Sequence, residues 1–302
     1  MNTKTKPAIF IKTAPIAPQL AAATILNPRM EIQLLGDFLK DDYELEGFLS
    51  LVKTYRPDIQ ILHSPLAYGE DTDLSKIEEP DTFKTTHKTC QLAQLLADYY
   101  ERRMPVVFHF GGDIEELKTQ PARRAAFLGA LTTLYQTYPA VDFYFENVTT
   151  LIFSKHPENP CRRYRDADPK TAPQLVRWLR EVFQDATRFY SVLDTCHALM
   201  TVRLLQTLGA ELSLEDFFKE NEGVCGLIHL ANARNYGIGP DHGTPFLKED
   251  TELLEEILTL YQMYHFNCPL TLEINETDYE VYQNYQATRE TLLPLLKQKG
   301  MA

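Results

Sequence analysis

Eight short apolar runs recur along the chain, and segments with helical periodicity separate them. The runs are rich in Val, Ile, Phe, Tyr and Leu and are almost continuously apolar, which is typical of strands buried on both faces of a parallel sheet. They cover residues 8–13, 30–36, 58–64, 105–112, 141–147, 189–195, 226–232 and 269–275. Eight alternations of strand and helix predict an α/β fold, a (β/α)8 TIM barrel that forms a single domain over residues 1–302. The competing doubly wound sheet would need fewer strands, and no GxGxxG motif follows the first run.

Leucine and aromatic residues recur at three- and four-residue steps between these runs, as they do on the buried face of a helix. Helices are predicted over residues 45–55, 90–103, 122–138, 173–186 and 250–265. Ser213 is the predicted N-cap of a further helix, because an acidic first turn follows it. The first crossover, near residues 18–26, is the shortest, and the tail after residue 290 is predicted to end in a helix.

Charge and cysteine usage narrow the class of protein. The 302 residues carry a net charge of −12, which disfavours a broad basic surface for nucleic acid. The five cysteines are scattered and form no CxxC motif, so reduced thiols in a cytoplasmic protein are expected. No stretch reaches the roughly 18 apolar residues of a membrane span, and the amino terminus does not have the pattern of a signal peptide.

Side chains that can ligate metal fall at the ends of six successive apolar runs. They are His63, His109, Glu146, Asp194, His197, His229 and Glu273, with Asp241 and His242 in the loop after the seventh run. The carboxyl ends of barrel strands open on one face, so these groups should converge there. Any one of them alone could be a hydrogen-bonded core residue or an ion-pair partner. Together they predict a divalent cation, because clustered buried carboxylates repel one another, and imidazole with carboxylate suits Zn, Mn, Fe or Co.

Several short motifs resemble a known group of barrels. The most specific is LDTCHA at residues 193–198, supported in order by HSP at 63–65, VFHFGG at 107–112, FEN at 145–147, HLAN at 229–232 and LEI at 272–274. These motifs resemble the endonuclease IV (AP endonuclease family 2) branch of the xylose isomerase-like superfamily. The resemblance covers residues from about 58 to 275.

The resemblance implies a centre of up to three zinc ions, with manganese as an alternative metal. Three sets of residues would hold the ions: His63, His109 and Glu146; Glu146, Asp194, His229 and Glu273; and His197, Asp241 and His242. The family motif has one residue between the Asp and the His of the third set, whereas here they are adjacent. The first run, IFIKTAP, lacks the family's Gly-Ala-His-Val-Ser motif, and the acidic segment LLGDFLKDD replaces its DNA-contact residues.

Two reactions fit this reading. The first is metal-assisted phosphoester hydrolysis of a small phosphorylated substrate or of damaged DNA at an abasic site, in which Glu146 holds the attacking hydroxide and Arg234 binds a phosphate. The second is isomerisation or epimerisation of a sugar or sugar phosphate, in which Glu146 and Glu273 move protons at one metal. These two carboxylates are the predicted catalytic residues. The histidine count favours hydrolysis. A barrel that only binds a ligand, and Cys196 as a nucleophile beside His197, are further alternatives.

Overall fold

Eight parallel strands close into a barrel, as the sequence predicts. The computed structural model describes residues 6–40, 43–65, 73–148, 168–234 and 242–301, with the backbone of 151–152 and 162–163. The strands are β1 Ile9–Thr13, β2 Arg29–Gln33, β3 Asp58–His63, β4 Met104–His109, β5 Val141–Glu146, β6 Phe189–Asp194, β7 Cys225–Leu230 and β8 Leu270–Leu272. Each strand pairs with its neighbours in chain order, and β1 closes the ring by pairing with both β2 and β8.

Ten α-helices surround the barrel in the described part of the chain. They are α1 Ala17–Leu26, α2 Leu45–Tyr55, α3 Pro80–Tyr100, α4 Ile114–Thr119, α5 Pro121–Thr137, α6 Thr171–Phe183, α7 Thr195–Thr207, α8 Leu214–Asn221, α9 Thr251–Met263 and α10 Gln283–Gln298. The predicted cap is confirmed, since Ser213 and Asp216 form a capping box. The predicted start of α3 at residue 90 is wrong, because Pro80 fits the first turn of a helix and polar Thr and Lys residues fill the turns before Cys90.

Alternation along the strands separates an apolar interior from a polar mouth. Phe10, Ile61, Val107, Val192 and Leu227 form one buried cluster inside the barrel. Successive side chains of a strand point to opposite faces, so residues two positions later point to the same side. Those later residues are Lys12, His63, His109, Asp194 and His229. The barrel interior therefore contains an apolar layer, and a ring of ionisable side chains lies next to it toward the carboxyl ends of the strands.

No helix in the described part of the chain is long and apolar enough to cross a membrane.

Candidate metal centre

Strand register sets the predicted ligands at one level of the barrel. His109 at the end of β4 is paired with Glu146 at the end of β5, and Asp194 at the end of β6 is paired with His229 in β7. Glu273 follows β8 directly. Because parallel strands of similar tilt end at the same rim, side chains from six strands reach one small volume. The predicted convergence is therefore observed for the ligands in the described residues.

Glu146 lies at the middle of the centre, and its two oxygens face different groups of imidazoles. Its Oε2 atom is 3.0 Å from Nε2 of His63 and 3.2 Å from Nε2 of His109. Its Oε1 atom is 3.2 Å from Nδ1 of His229 and 3.5 Å from Nδ1 of His197. The carboxylate is fully buried. A carboxylate placed in this way could bridge two cations, one on each side.

A second set of ligand atoms gathers around Oε1 of Glu146. Nδ1 of His229 lies 2.7 Å from Oε2 of Glu273 and 3.9 Å from Oδ2 of Asp194. One ligand atom from each of Glu146, Asp194, His229 and Glu273 lies within 4.8 Å of the other three. Two ligand atoms that share a tetrahedral zinc ion lie about 3.4 Å apart. These four side chains could therefore hold one cation, and His63, His109 and Glu146 could hold another.

Local hydrogen bonds orient two of these side chains. Asp194 is the N-cap of α7, and its Oδ1 accepts from the backbone N–H of His197 at 2.7 Å, which leaves Oδ2 toward the centre. Nδ1 of His63 lies 2.9 Å from the carbonyl oxygen of Ser64. A carbonyl only accepts, so the proton of a neutral His63 is on Nδ1. The lone pair of Nε2 then faces Oε2 of Glu146, which is also an acceptor. Two acceptors that face each other repel unless a cation lies between them, so this arrangement suits a bound cation.

A backbone carbonyl also fixes the proton of His197, a histidine of the third predicted set, on its Nδ1 atom. Nδ1 of His197 lies 2.9 Å from the carbonyl oxygen of Asn147, and its Nε2 lies 3.1 Å from Nε2 of His242. His197 is in the first turn of α7 rather than at the end of β6, where the sequence placed it. Asp241 lies outside the described residues, so the role of this residue stays a prediction.

Opposite charges set the pKa values of the carboxylates and imidazoles. Burial raises the pKa of Glu146, but His229 and His109 outweigh it and hold that pKa well below its usual value. Burial raises the pKa of Asp194 to about 7, although His197 opposes this shift. Burial disfavours the charged form of His229, but Glu31 and Glu273 outweigh it and raise its pKa well above the usual value. Each ionisable group therefore depends on its neighbours for its charge.

Two charged residues that the sequence analysis did not select complete the centre. Glu31 on β2 is fully buried, and its Oε2 lies 3.0 Å from Nε2 of His229. Lys12 on β1 donates to Oε1 of Glu273 at 2.5 Å. The signal that could have found them is a charge inside an apolar strand run, since Lys and Glu are almost never buried unless paired.

Two further candidates have partners outside the cluster of ligands. Arg234 forms a two-pronged ion pair with Asp250, with both N–O distances at 2.7 Å, and phosphate binding by Arg234 stays a prediction. Cys196 is buried, and its sulfur accepts a hydrogen bond from the backbone N–H of Gly243 at 3.2 Å. Burial and the nearby Asp194 raise the pKa of the Cys196 thiol well above its usual value, which opposes its use as a nucleophile.

Comparison with known proteins identifies the fold but not a sequence family. Neither the models of protein families nor the curated proteins match this chain. The solved structures that match include a 3-keto-D-glucoside 4-epimerase, a D-tagatose 3-epimerase-like protein, a xylose isomerase domain protein and endonuclease IV. Their low sequence identity shows a shared fold alone.

Three of these solved structures illustrate the range. A xylose isomerase domain protein from Planctomyces limnophilus has a TM-score of 0.59 and 11% identity, covering 98% of each chain. The 3-keto-D-glucoside 4-epimerase of E. coli has a TM-score of 0.57 and 14% identity, covering 97% of this chain and 100% of its own. Endonuclease IV from Thermus thermophilus has a TM-score of 0.54 and 16% identity, covering 95% of this chain and 99% of its own. Enzymes of quite different reactions therefore share this barrel.

Proposed function

We propose that this protein is a divalent-metal-dependent phosphoester hydrolase with a centre of two or three ions, zinc being the first candidate and manganese the second. The observation that carries the proposal is the position of Glu146. Its Oε2 faces the Nε2 atoms of His63 and His109, and its Oε1 faces the Nδ1 atom of His229. A single ion could be bound on only one side of Glu146, so the ligands on the other side would remain unused. Sites with two metal ions are common in phosphatases and nucleases.

Two bound ions would give the centre a charge that suits an anionic substrate. Four carboxylates and the ammonium of Lys12 meet in the described part of the centre, which leaves a net charge of −3 when all are ionised and the imidazoles are neutral. One divalent ion would leave the centre at −1, whereas two would bring it to +1. A phosphate ester is repelled by the first state and attracted by the second. The carboxylates are Glu31, Glu146, Asp194 and Glu273.

Several residues of this chain would have distinct roles in phosphoester hydrolysis. Bound divalent ions would supply Lewis acidity and charge neutralisation to the phosphate. Glu146 and Glu273 are held as carboxylates by their cationic neighbours, and the backbone carbonyl beside His63 fixes its ring so that Nε2 points inward. Asp194 caps α7 through its Oδ1 atom and would offer its Oδ2 atom to an ion.

The alternative is a sugar isomerase or epimerase, and one observation favours it. Glu146, Asp194, His229 and Glu273 by themselves make a complete set of ligands for a single ion. Two solved neighbours are an epimerase of a 3-keto-D-glucoside and an L-ribulose 3-epimerase. Lys12 argues against this reading, because its 2.5 Å ion pair holds the carboxylate that would have to accept a proton. We therefore rank hydrolysis first.

A small phosphorylated substrate fits better than damaged DNA. The segment after β2 is where the family resemblance places DNA contacts. Phe38 in that segment is buried, and Asp37 and Lys40 pair with each other at 2.6 Å. These three side chains therefore present to DNA neither an exposed aromatic ring nor a cation without a partner. We propose a cytoplasmic enzyme, which the free thiols of the four described cysteines support.

The metal content of the purified protein tests the proposal. We expect two or three zinc ions per chain by elemental analysis and turnover of phosphomonoesters or phosphodiesters that a chelator abolishes. Abasic duplex DNA and ketose sugars are the comparison substrates. One ion per chain together with ketose epimerisation would show that the protein is an epimerase rather than a hydrolase. A purified protein that binds no divalent metal would overturn both proposed functions. Nicking of the abasic duplex would replace the small substrate by DNA.

A further inference from the structure

Glu31 is a buried carboxylate placed against the outer nitrogen of a candidate ligand. Its side chain is fully buried, and Oε2 lies 3.0 Å from Nε2 of His229. The pairing of β2 with β3 passes from Met30–Ile59 to Glu31–Ile61, so the extra residue of the bulge is Gln60 of β3. Glu31 is paired with Ile61, a member of the apolar cluster inside the barrel, and its side chain therefore lies on the inner face.

The partners of Glu31 indicate where the proton of His229 lies. Oε1 of Glu31 is 3.5 Å from the ammonium of Lys12 and has no hydrogen-bond partner among the described residues. A carboxylate beside an ammonium stays ionised and only accepts, so His229 must donate from Nε2. In the neutral ring this leaves a lone pair on Nδ1, which faces Oε1 of Glu146 at 3.2 Å and Oε2 of Glu273 at 2.7 Å.

Lys12 links the outer partners of two candidate ligands. Its ammonium donates to Oε1 of Glu273 at 2.5 Å and lies 3.5 Å from Oε1 of Glu31. The other oxygen of Glu273, Oε2, is then the one turned to Nδ1 of His229. Lys12, Glu31, His229 and Glu273 therefore form a closed ring of ion pairs and hydrogen bonds, in which Nδ1 of His229 and Oε2 of Glu273 face each other.

We propose that Glu31 is a positioning residue of the metal centre: it holds the Nε2–H of His229 and so directs Nδ1 to the ion, while Lys12 holds Glu31 and the outer oxygen of Glu273. Ligating histidines commonly donate their second N–H to a carboxylate, which fixes the tautomer and makes the ligand more basic. This inference rests on the proposed metal centre but on neither of the two candidate reactions.

The geometry also defines the competing arrangement. Atoms of Glu31, His63 and His229 lie within 4.8 Å of one another, so these three residues could themselves ligate an ion. In that case Nε2 of His229 would carry the metal, and Nδ1 would carry the proton. The two arrangements therefore assign opposite nitrogens of one ring, and a single spectrum separates them.

The experiment is long-range proton–nitrogen NMR of the zinc-loaded protein with labelled histidine, where the His229 signal is identified by its loss in His229→Gln. We expect a proton on Nε2 and zinc on Nδ1 in the wild type, a result that needs no variant of Glu31 to fold. Zinc on Nε2 would overturn the proposal in favour of Glu31 as a ligand.

Chelator competition gives the second readout. We expect Glu31→Gln to weaken zinc binding at the His229 site by about 10–100-fold, the range measured for residues that support ligands. The matched control is Asp58→Asn, which removes a strand carboxylate at the opposite end of the barrel, where it pairs with Arg102 at 2.7 Å. Zinc affinity of Glu31→Gln within twofold of this control would overturn the proposal. A wild type that binds no zinc would instead overturn the metal centre itself.

Discussion

The Oε1 atom of Glu146 and the Nδ1 atom of His229 lie 3.2 Å apart, although 83 residues separate the two positions in the chain. Strand β6 and the crossover helices on either side of it lie between them in sequence. The contact exists because the barrel strands run in the same direction around a closed ring and end at the same rim. This relationship joins the two candidate cation sites through one carboxylate.

Glu146→Gln should remove metal from both sides of the centre. An amide cannot supply two anionic oxygens, so we expect zinc affinity to fall by more than about 100-fold, beyond the effect of a residue that only supports a ligand. Elemental analysis after dialysis against a weak chelator measures the loss. Asp142→Asn on the same strand is the control, because Asp142 pairs with Arg103 away from the centre. Retention of all ions in Glu146→Gln would contradict the bridging arrangement.

His109→Ala should remove one ion and leave another. His109 contacts only the Oε2 side of Glu146 through its Nε2 atom, and its side chain is 24% exposed, so the barrel should tolerate the change. The Asp194, His229 and Glu273 side should keep its ion. Zinc content and the absorption spectrum of the cobalt-substituted protein measure this result. The control is His87→Ala, because His87 contacts Tyr138 and no candidate ligand among the described residues. Loss of every ion would indicate a single site.

The metal-free protein should lose stability as pH rises above about 6.5. The pKa values of His197 and His229 are raised above the ordinary 6.5, so their contribution is complete below that pH and is lost as pH rises through the raised values. Asp194, with its pKa raised from 3.8 to about 7, acts in the same direction, since only the folded state keeps its proton. His63 and His242 have lowered pKa values, and their opposite effect ends about one pH unit above 6.5, so the three raised groups outweigh it.

Thermal unfolding in a chelator should therefore show a melting temperature that falls between pH 6.5 and about pH 8.5. Added zinc should abolish the fall, because metal binds the deprotonated ligands. A melting temperature that rises with pH in the chelator would contradict this account of the charges.

Cys196→Ala should keep both metal and turnover. The thiol is buried, and its raised pKa keeps it protonated at neutral pH. We expect turnover within about twofold of the wild type and a stability loss of about 1 kcal/mol from the lost packing. Steady-state kinetics and urea unfolding measure these two effects. Loss of turnover with metal content intact would restore Cys196 as a nucleophile.

Gly226→Ala should destabilise the barrel by overpacking. A Cβ atom at this position of β7 would lie 2.8 Å from the ring of Tyr144 and 2.8 Å from Cβ of Tyr190. We expect a loss of about 1–3 kcal/mol in the free energy of unfolding, measured in urea. Gly47→Ala in α2 is the control, because a Cβ there meets nothing within 4 Å and should stabilise the helix by about 0.5–1 kcal/mol. Equal effects of the two changes would contradict the packing argument.

The predictable part of the fold follows from strong local signals. All eight strands are found within two residues of where their apolar runs begin, since a strand buried on both faces leaves no room for polar residues. The boundaries of α3 were harder to predict. Its first ten residues, from Pro80 to Thr89, are mostly polar in sequence, yet Thr82, Thr86 and Thr89 are buried in the folded protein.

The predictable part of the centre depends on chemistry at strand ends. His63, His109, Glu146 and Asp194 each end an apolar strand, where a polar residue has little structural use. The positioning pair was missed because Lys12 and Glu31 lie on the two strands that carry no predicted ligand, and either charge alone is compatible with a surface ion pair.

By itself the sequence determined the repeating strand–helix pattern and the side chains able to bind a cation, because both are written in residue type and local spacing. The tertiary structure alone decided which oxygen of Glu146 faces which imidazole and which nitrogen of His229 meets Glu31. Those choices depend on the register between strands distant in the chain and on the order in which the barrel closes, and neither quantity is local.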